Sequence, residues 1–370
     1  MAPARQKLET GRVMKSRTGD VRAKAAAMGL AALMMVAPPL AALAEPLRLV
    51  TPIVYGSHLP GLGEPAARLA KLIKQLSGGS LELDLKQPGD GTQPQEILDK
   101  VAAGRADAGF STAGFWAARL PAAVLFAGFP FGPDAKGYVD WFFAGNGAKL
   151  YQEMYDQAGL KVHVIPCAFG GGEAGGWFAK EIHSKADLEG LRMRIFGPGA
   201  QVMARLGVAT KLVPGGSVPA AFDKHELDAA ELLTPTADQR QDLQDKVKLI
   251  YVPGWHQPET VLELLINKDR WSALDDHQQT IIDTACKATL LTTLAESGRL
   301  EADALADLAS KSGVRIEPWP EDVMTALRAS WEAVAKDEGD RDAFFQAVFD
   351  DLASFRTKSA GSPQATAATP

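Results

Sequence analysis

The sequence predicts an α/β fold of two lobes, with a ligand cleft between the lobes and a helical C-terminus. Short segments of alternating hydrophobicity are followed repeatedly by amphipathic segments that end at glycine. This order of strand, helix and strand is typical of parallel strands joined by crossover helices. The length of 370 residues favours two lobes, because single hydrophobic cores stop growing at roughly 250–300 residues.

The first unit of the pattern covers residues 47–110. Leu47–Thr51 and Leu81–Leu85 are predicted strands, and Ala106–Phe110 enters a third. Between them, Pro65–Leu76 and Glu96–Ala103 have the spacing of helices and are followed by glycine. The unit therefore predicts the order β-α-β-α-β.

A second unit repeats this order and continues into a helical C-terminus. Helices are predicted at Gln201–Leu206 and Pro219–His225, and extended segments at Leu160–Pro166, Gly176–Phe178, Leu191–Ile195, Lys211–Val213 and Val261–Asn267. From Asp275 onward the chain is predicted to be helical, with an interruption at Val314–Glu317.

These elements suggest a division of the chain into lobes. Lobe I takes residues 45–165 and about 254–300, while lobe II and the C-terminal helices take about 166–253 and about 301–357. Residues 358–370, rich in Ser, Ala, Pro and Thr, are predicted to form a disordered tail. In such folds the ligand lies at the carboxyl ends of strands, in the crevice between the lobes.

Residues 1–44 have the composition of a secretory signal peptide. A basic lead precedes an apolar run at Ala25–Ala37, and Ala42–Ala44 supplies an A-x-A cleavage site. The run is shorter than the roughly 20 residues of a membrane anchor. Because this segment holds seven Lys or Arg and two Asp or Glu, its removal takes the formal charge from −6 to −11. An acidic protein of this kind lacks the basic face that nucleic acids require.

Two cysteines are present, Cys167 and Cys286. They could pair in an oxidising compartment, although the apolar run around Cys167 favours a buried thiol instead. Without a C-x-x-C motif, zinc and redox sites have no support.

Other motifs point away from catalysis. Gly170–Gly175 fits the pattern G-x-G-x-x-G, but Gly176–Phe178 reads as extended where a dinucleotide site needs a helix, so the match is attributed to chance. The six histidines have no metal-ligand spacing and are expected to be surface or packing residues. A G-x-S-x-G nucleophile motif is also missing, which favours binding over an enzyme.

Several strings between Leu47 and Ala285 resemble the DctP-type family, the substrate-binding subunits of TRAP transporters. They lie at Gly114–Ala117, Phe129–Gly132, Gly175–Phe178, Leu188–Ile195, Pro253–Gln257 and Leu264–Lys268. The resemblance is nearest to the branch that binds 2-oxo and 2-hydroxy acids. It implies a two-lobed periplasmic-binding-protein-like fold and a receptor that captures a small monocarboxylate.

Arg194 is the first candidate substrate ligand. It is predicted near the end of a strand, just before Gly197, where a guanidinium could hold a carboxylate through two parallel hydrogen bonds. The helix that follows Gly199 could add backbone donors for the same anion. In the family, the arginine that matches Arg194 clamps the substrate carboxylate.

The resemblance also implies a cation that bridges the protein and the substrate. The matching ligands are Glu173, Glu231, the carbonyl of Leu232, and Gln257. The best-known family pattern has glutamine at the position of Glu173 and glutamate at the position of Gln257, so the two residue types are exchanged in this chain. The formal charge is unchanged, so the cation site is expected to survive with altered geometry.

Charge counting also favours a cation if these groups converge. Glu173, Glu231 and a substrate carboxylate carry three negative charges against Arg194, and buried like charges raise the pKa of at least one group. All-oxygen ligands suit Na⁺, Ca²⁺ or Mg²⁺, and we expect Na⁺ or Ca²⁺. The alternative is that one glutamate is protonated and donates a hydrogen bond to the substrate.

Aromatic residues are predicted to complete the site. Phe115 follows the third strand, and Trp177 and Trp255 flank the proposed ligands. They are expected to form an apolar wall for the substrate, or alternatively to pack in the core.

The sequence therefore predicts a periplasmic receptor for a small organic acid anion, recognised by membrane TRAP transporter subunits. The helical segment from Asp275 permits a homodimer, and nucleic acid is not an expected partner. Alternatives are a receptor of the same family for a C4-dicarboxylate or a sugar acid, an exported hydrolase that uses Glu173 and Glu231, and a structural scaffold.

Overall fold

The computed structural model describes residues 45–360. The predicted signal peptide, residues 1–44, lies outside this range, as do residues 361–370. The strands are β1 (Leu47–Pro52), β2 (Leu81–Lys86), β3 (Ala108–Ser111), β4 (Val162–Phe169), β5 (Gly176–Phe178), β6 (Arg192–Arg194), β7 (Ala209–Lys211), β8 (Ala229–Ala230), β9 (Leu249–Val252), β10 (Val261–Asn267) and β11 (Arg315–Pro318).

Helices surround these strands and form the last part of the described chain, up to Ala360. They are α1 (Glu64–Leu76), α2 (Ile97–Ala102), α3 (Ala123–Ala127), α4 (Ala135–Ala144), α5 (Gly147–Gln157), α6 (Gly197–Arg205), α7 (Val218–Asp223), α8 (Pro235–Asp238), α9 (Lys268–Ala273), α10 (Asp276–Ser312), α11 (Glu321–Arg341) and α12 (Ala343–Ala360). Within residues 45–360, no helix has the length and apolar character needed to cross a membrane.

The strands form two groups, as the predicted α/β fold requires. In the first group β1 and β2 pair in parallel, and β10 lies between β3 and β4, antiparallel to both. In the second group six strands pair in the order β11-β9-β5-β8-β6-β7. The antiparallel position of β10 was not predicted, because a buried central strand reads as a continuous apolar run in either direction.

Three chain segments connect the groups: one from β4 to β5, one from β9 to β10, and one from β10 to β11 through α9 and α10. The first two lie against each other. The amide of Glu173 donates to the carbonyl of Gln257 (3.0 Å), and that of Gly170 donates to the carbonyl of Thr260 (2.7 Å). A Cβ at Gly254 would lie 1.9 Å from the carbonyl oxygen of Glu173, so only glycine allows this approach.

Most predicted elements are present, with shifted ends. The predicted strand Lys211–Val213 is wrong by two residues, since β7 ends at Lys211. The predicted disordered tail is also wrong at its start, because α12 continues to Ala360. Gly170–Gly175 lies between strands β4 and β5, with no helix after it, which agrees with a chance match to the dinucleotide motif.

Cys167 and Cys286 form a disulfide, so the expectation of a buried free thiol is wrong. The bond joins β4 to the first half of α10. Both residues are buried between Leu262, Leu264 and the apolar face of α10, and the sequence alone could not show that they meet.

Glu263, on strand β10, carries a buried carboxyl group. Glu263 accepts hydrogen bonds from Tyr151 (2.6 Å), Tyr155 (2.8 Å) and Trp116 (3.0 Å). Burial raises the pKa of Glu263 to about 7, against the lowering effect of these donors. The folded protein therefore holds this proton more tightly than the unfolded chain does.

This pKa predicts the sign of a pH effect on stability. The contribution of protonated Glu263 is complete below the ordinary glutamate pKa and is lost as the pH rises through about 7. Glu263→Gln should remove roughly 3 kcal/mol of the fall in unfolding free energy between pH 4.5 and pH 8, at about 1.4 kcal/mol per pKa unit. Urea denaturation at several pH values measures the unfolding free energy and its change with pH. The exposed Glu332→Gln is the control, and an unchanged slope in Glu263→Gln would contradict the assignment.

Candidate functional site

A cavity of about 660 Å³ lies where the two groups of strands face each other. Tyr55, Thr112 and Phe115 line it from the end of the first group. Arg194 and Glu231 line it from the second. Each of these residues follows or ends a strand, which is where α/β folds place their ligands. The cleft between two lobes is therefore present.

Arg194 forms the ionic base of the cavity with Glu231. It ends β6, whose parallel neighbour β8 ends just before Glu231. Its Nη1 donates to the carboxylate of Glu231 (2.9 Å) and also to the backbone carbonyl of Glu231, while its Nε donates to the carbonyl of Val213. Within residues 45–360 these bonds use Nε and Nη1, which leaves Nη2 for an anion in the cavity.

Glu173 enters the same cluster from the segment between β4 and β5. Its Oε2 lies 3.0 Å from Nε2 of His256, and both side chains are almost fully buried. Glu173, Glu231 and His256 each offer a ligand atom within 4.8 Å of the others. The Nδ1 atom of His256 is buried without a hydrogen-bond partner in the described part of the chain.

The two carboxyl groups have opposite pKa shifts. Burial and then the charge of Glu231 raise the pKa of Glu173 well above its ordinary value. Burial is the largest single effect on Glu231 and opposes its ionisation. The charge of Arg194, the charge of His256 and the hydrogen bonds from Glu173 and from the amide of Phe196 together outweigh burial and lower the pKa of Glu231. One charge and one neutral acid are therefore expected at neutral pH without a cation, as the charge count predicted.

The other predicted ligands divide into two sets. Phe115, Leu232 and Gln257 line the cavity, together with Glu173, Glu231 and Arg194. Gln257 also donates from Nε2 to Thr260 (2.7 Å), which leaves its carbonyl oxygen available.

Trp177 and Trp255 do not line the cavity. Trp177 is fully buried and donates to Asp238 (2.8 Å), and Trp255 packs against Phe131 behind the site. Their position in the core corrects the expectation that these two rings contact the substrate, and it matches the alternative of core packing.

Sequence reasoning missed two residues of the site. His256, which was expected to be a packing or surface residue, is a member of the ionic cluster. Its only sequence signal was its place beside Gln257. Tyr55, just after β1, lines the cavity, and burial followed by Glu173 raises its pKa. Its position after a predicted strand was the signal that could have found it.

The donor atoms around the cavity fit a bridging cation. Glu173, Glu231, the Leu232 carbonyl and Gln257 are oxygen donors, which suit Na⁺ or Ca²⁺. An imidazole also lies within the cluster, that of His256, which the sequence did not indicate. Through its hydrogen bond to Glu173, His256 would orient that carboxylate as a cation ligand and would not itself be a ligand. A raised glutamate pKa between two acids is also what an added cation would relieve.

Two lobes around a cavity with a charged base define a receptor for a small anion. Residues 59–340 match the family DctP, described as bacterial extracellular solute-binding protein, family 7. The chain belongs to this family. Its members are substrate-binding receptors of TRAP transporters, so the protein is a receptor and not an enzyme.

Characterised relatives agree with this class. A monocarboxylate 2-oxoacid-binding periplasmic protein of Nostoc sp. is 32% identical over 291 residues, 79% of each chain. A TRAP periplasmic solute-binding protein of Colwellia psychrerythraea, solved with calcium and pyruvate, is 27% identical with a TM-score of 0.80, over 87% of this chain and 98% of that one. That of Pseudoalteromonas atlantica, with sodium and pyruvate, is 26% identical with a TM-score of 0.79, over 88% and 99%.

The ion pair of Arg194 predicts a large stability effect. Arg194→Met leaves the charge of Glu231 buried without its partner and should lower the unfolding free energy by about 3–5 kcal/mol. The double substitution Arg194→Met, Glu231→Gln should recover part of this loss. Urea denaturation measures both.

Arg192 supplies a matched control two residues earlier in β6. Its ion pair with Asp228 is half exposed, so Arg192→Met should cost only about 0–1 kcal/mol. Equal losses for Arg192→Met and Arg194→Met would contradict the assigned burial of the Arg194 pair.

Proposed function

We propose that the protein captures a small 2-oxo or 2-hydroxy monocarboxylate, held by Arg194 and by a bridging Na⁺ or Ca²⁺. The observation that carries this proposal is the pairing of Arg194 with Glu231 beside Glu173 at the base of the cavity. The ligands of the relatives, pyruvate with calcium or with sodium, support it.

The charge of the cavity favours a monocarboxylate. Among the described residues that line it, Arg194 is the sole lysine or arginine. A C4-dicarboxylate would bring a second carboxylate that also needs a cationic partner. A sugar acid would need several hydrogen-bonding groups, whereas Leu212, Val213, Pro214, Leu232 and Leu233 form much of the wall.

The cation has a defined task in this proposal. Glu173, Glu231, Leu232 through its carbonyl, and Gln257 would hold it. When bound, it supplies the positive charge that lets two glutamates and a substrate carboxylate share one buried site. Arg194 holds the substrate carboxylate through Nη2, and His256 keeps Glu173 in position.

Binding is coupled to closure of the lobes. Lobe I is residues 45–165 with about 254–300, and lobe II is about 166–253 with about 301–357. An anion held by Tyr55 and Phe115 from one side and Arg194 from the other would stabilise the closed form, because it contacts both lobes only there.

Export and partners complete the proposal. The signal peptide is cleaved after Ala44, and the mature receptor works in the periplasm. Its closed, liganded form is recognised by the membrane subunits of a TRAP transporter. The exposed face of α10 is available for a homodimer.

Arg194→Lys tests the substrate ligand. A lysine cannot keep the bonds to Glu231 and also grip the carboxylate in the plane of a guanidinium. The dissociation constant for a bound 2-oxo acid should rise at least about tenfold, as measured by isothermal titration calorimetry. Arg192→Lys, at the exposed pair, should bind like the parent protein. Unchanged affinity in Arg194→Lys would refute the assigned role.

Removal of cations tests the bridge. In sodium-free buffer with a chelator, affinity for the 2-oxo acid should fall at least about tenfold, and added Ca²⁺ or Na⁺ should restore it. Glu231→Gln should weaken this restoration, whereas the distant Glu332→Gln should not. Calorimetry with and without the cation measures both. Equal affinity in chelated and cation-loaded protein would show that protonated Glu173 acts instead.

A further inference from the structure

Apolar side chains line the cavity beside the ionic cluster. Phe115, Phe196, Leu212 and Leu232 line it together. Leu212 is 70% exposed and Phe196 is 41% exposed. A single exposed apolar residue is ordinary, but here two border the same cavity and adjoin further apolar wall.

Aromatic rings connect the ionic cluster to these apolar side chains. The ring of Tyr55 lies 6.4 Å from that of Phe115, which lies 6.2 Å from that of Phe196. Tyr55 lines the same cavity as Glu173 and Glu231. At the other end of the row, the amide of Phe196 donates to Glu231 (3.0 Å), so the aromatic rings adjoin the charged base.

The size of the cavity exceeds the need of pyruvate. Its volume is about 660 Å³. Pyruvate has only one methyl group beyond its two polar functions. A ligand of that size would leave Phe196 and Leu212 in contact with water.

We propose that the preferred ligand is a 2-oxo acid with a branched aliphatic or aromatic tail, which lies against Phe115, Phe196, Leu212 and Leu232. This inference rests on the proposed function, because the carboxylate end is held as described there. The tail buries apolar surface that is otherwise exposed, and each buried methylene raises affinity about fourfold. Tail length, rather than the charged base, then sets the specificity.

A series of 2-oxo acids tests the preference. Pyruvate, 2-oxobutyrate, 4-methyl-2-oxovalerate and phenylpyruvate are titrated by calorimetry into the mature protein with Ca²⁺ present. We expect 4-methyl-2-oxovalerate or phenylpyruvate to bind at least about tenfold more tightly than pyruvate.

Two variants locate the tail. Leu212→Ala removes an exposed side chain and should reduce the preference for 4-methyl-2-oxovalerate over pyruvate several-fold. Leu232→Phe fills the cavity wall and should reduce the same ratio. Leu291→Ala, on α10 outside the cavity and 65% exposed, is the matched control and should leave the ratio as in the parent.

The outcomes separate this inference from the proposed function. If pyruvate binds as tightly as the larger acids, or if Leu212→Ala leaves the preference unaltered, the tail site is overturned while the receptor for 2-oxo acids stands. If no 2-oxo acid of any length binds, the proposed function itself fails. A graded preference that Leu212→Ala diminishes and Leu291→Ala does not supports the tail site.

Discussion

One guanidinium buried beside two carboxyl groups is the constraint on which the site depends. Arg194 can compensate Glu231 but not Glu173 as well, so the pair carries one proton or needs another positive charge. An unbalanced charge in a buried site lowers the stability of the folded protein and favours the binding of a group that neutralises the charge. In the proposed function, the same electrostatics that make the cluster costly to fold favour an anion that binds together with a cation.

Much of the site could be predicted because strand ends are readable in sequence. Arg194 was predicted at the end of a strand, and Glu231 was matched through the family resemblance. The structure shows that the two residues lie together, because β6 and β8 are parallel neighbours. His256 could not be found in this way, since it lies on the segment between β9 and β10 and its partner, Glu173, is distant in sequence. Trp177 and Trp255 were misplaced for another reason: a tryptophan beside a ligand residue fits a core position as well as a wall position, and only packing decides.

In the rest of the fold, too, local sequence patterns predict individual helices and strands but not the contacts between residues far apart in sequence. Local spacing identified α1, α2 and β10, but the antiparallel pairing of β10 depends on contacts with β3 and β4 from far earlier in the chain. The disulfide likewise depends on Cys286 of α10 lying beside β4, which no local pattern contains. Ligand chemistry was therefore more predictable than topology, because charged residues at strand ends carry it.

Helix α10 has an asymmetric attachment. Its first half is joined covalently to β4 through Cys286, while Glu301 and Leu308, further along, contact Thr236 and the apolar core beneath β9. In the proposed closure, the bend of this helix falls between Cys286, which is bonded to β4, and Glu301, which accepts from Thr236. The stiffness of these turns would then contribute to the free energy of ligand binding, although no residue of α10 lines the cavity.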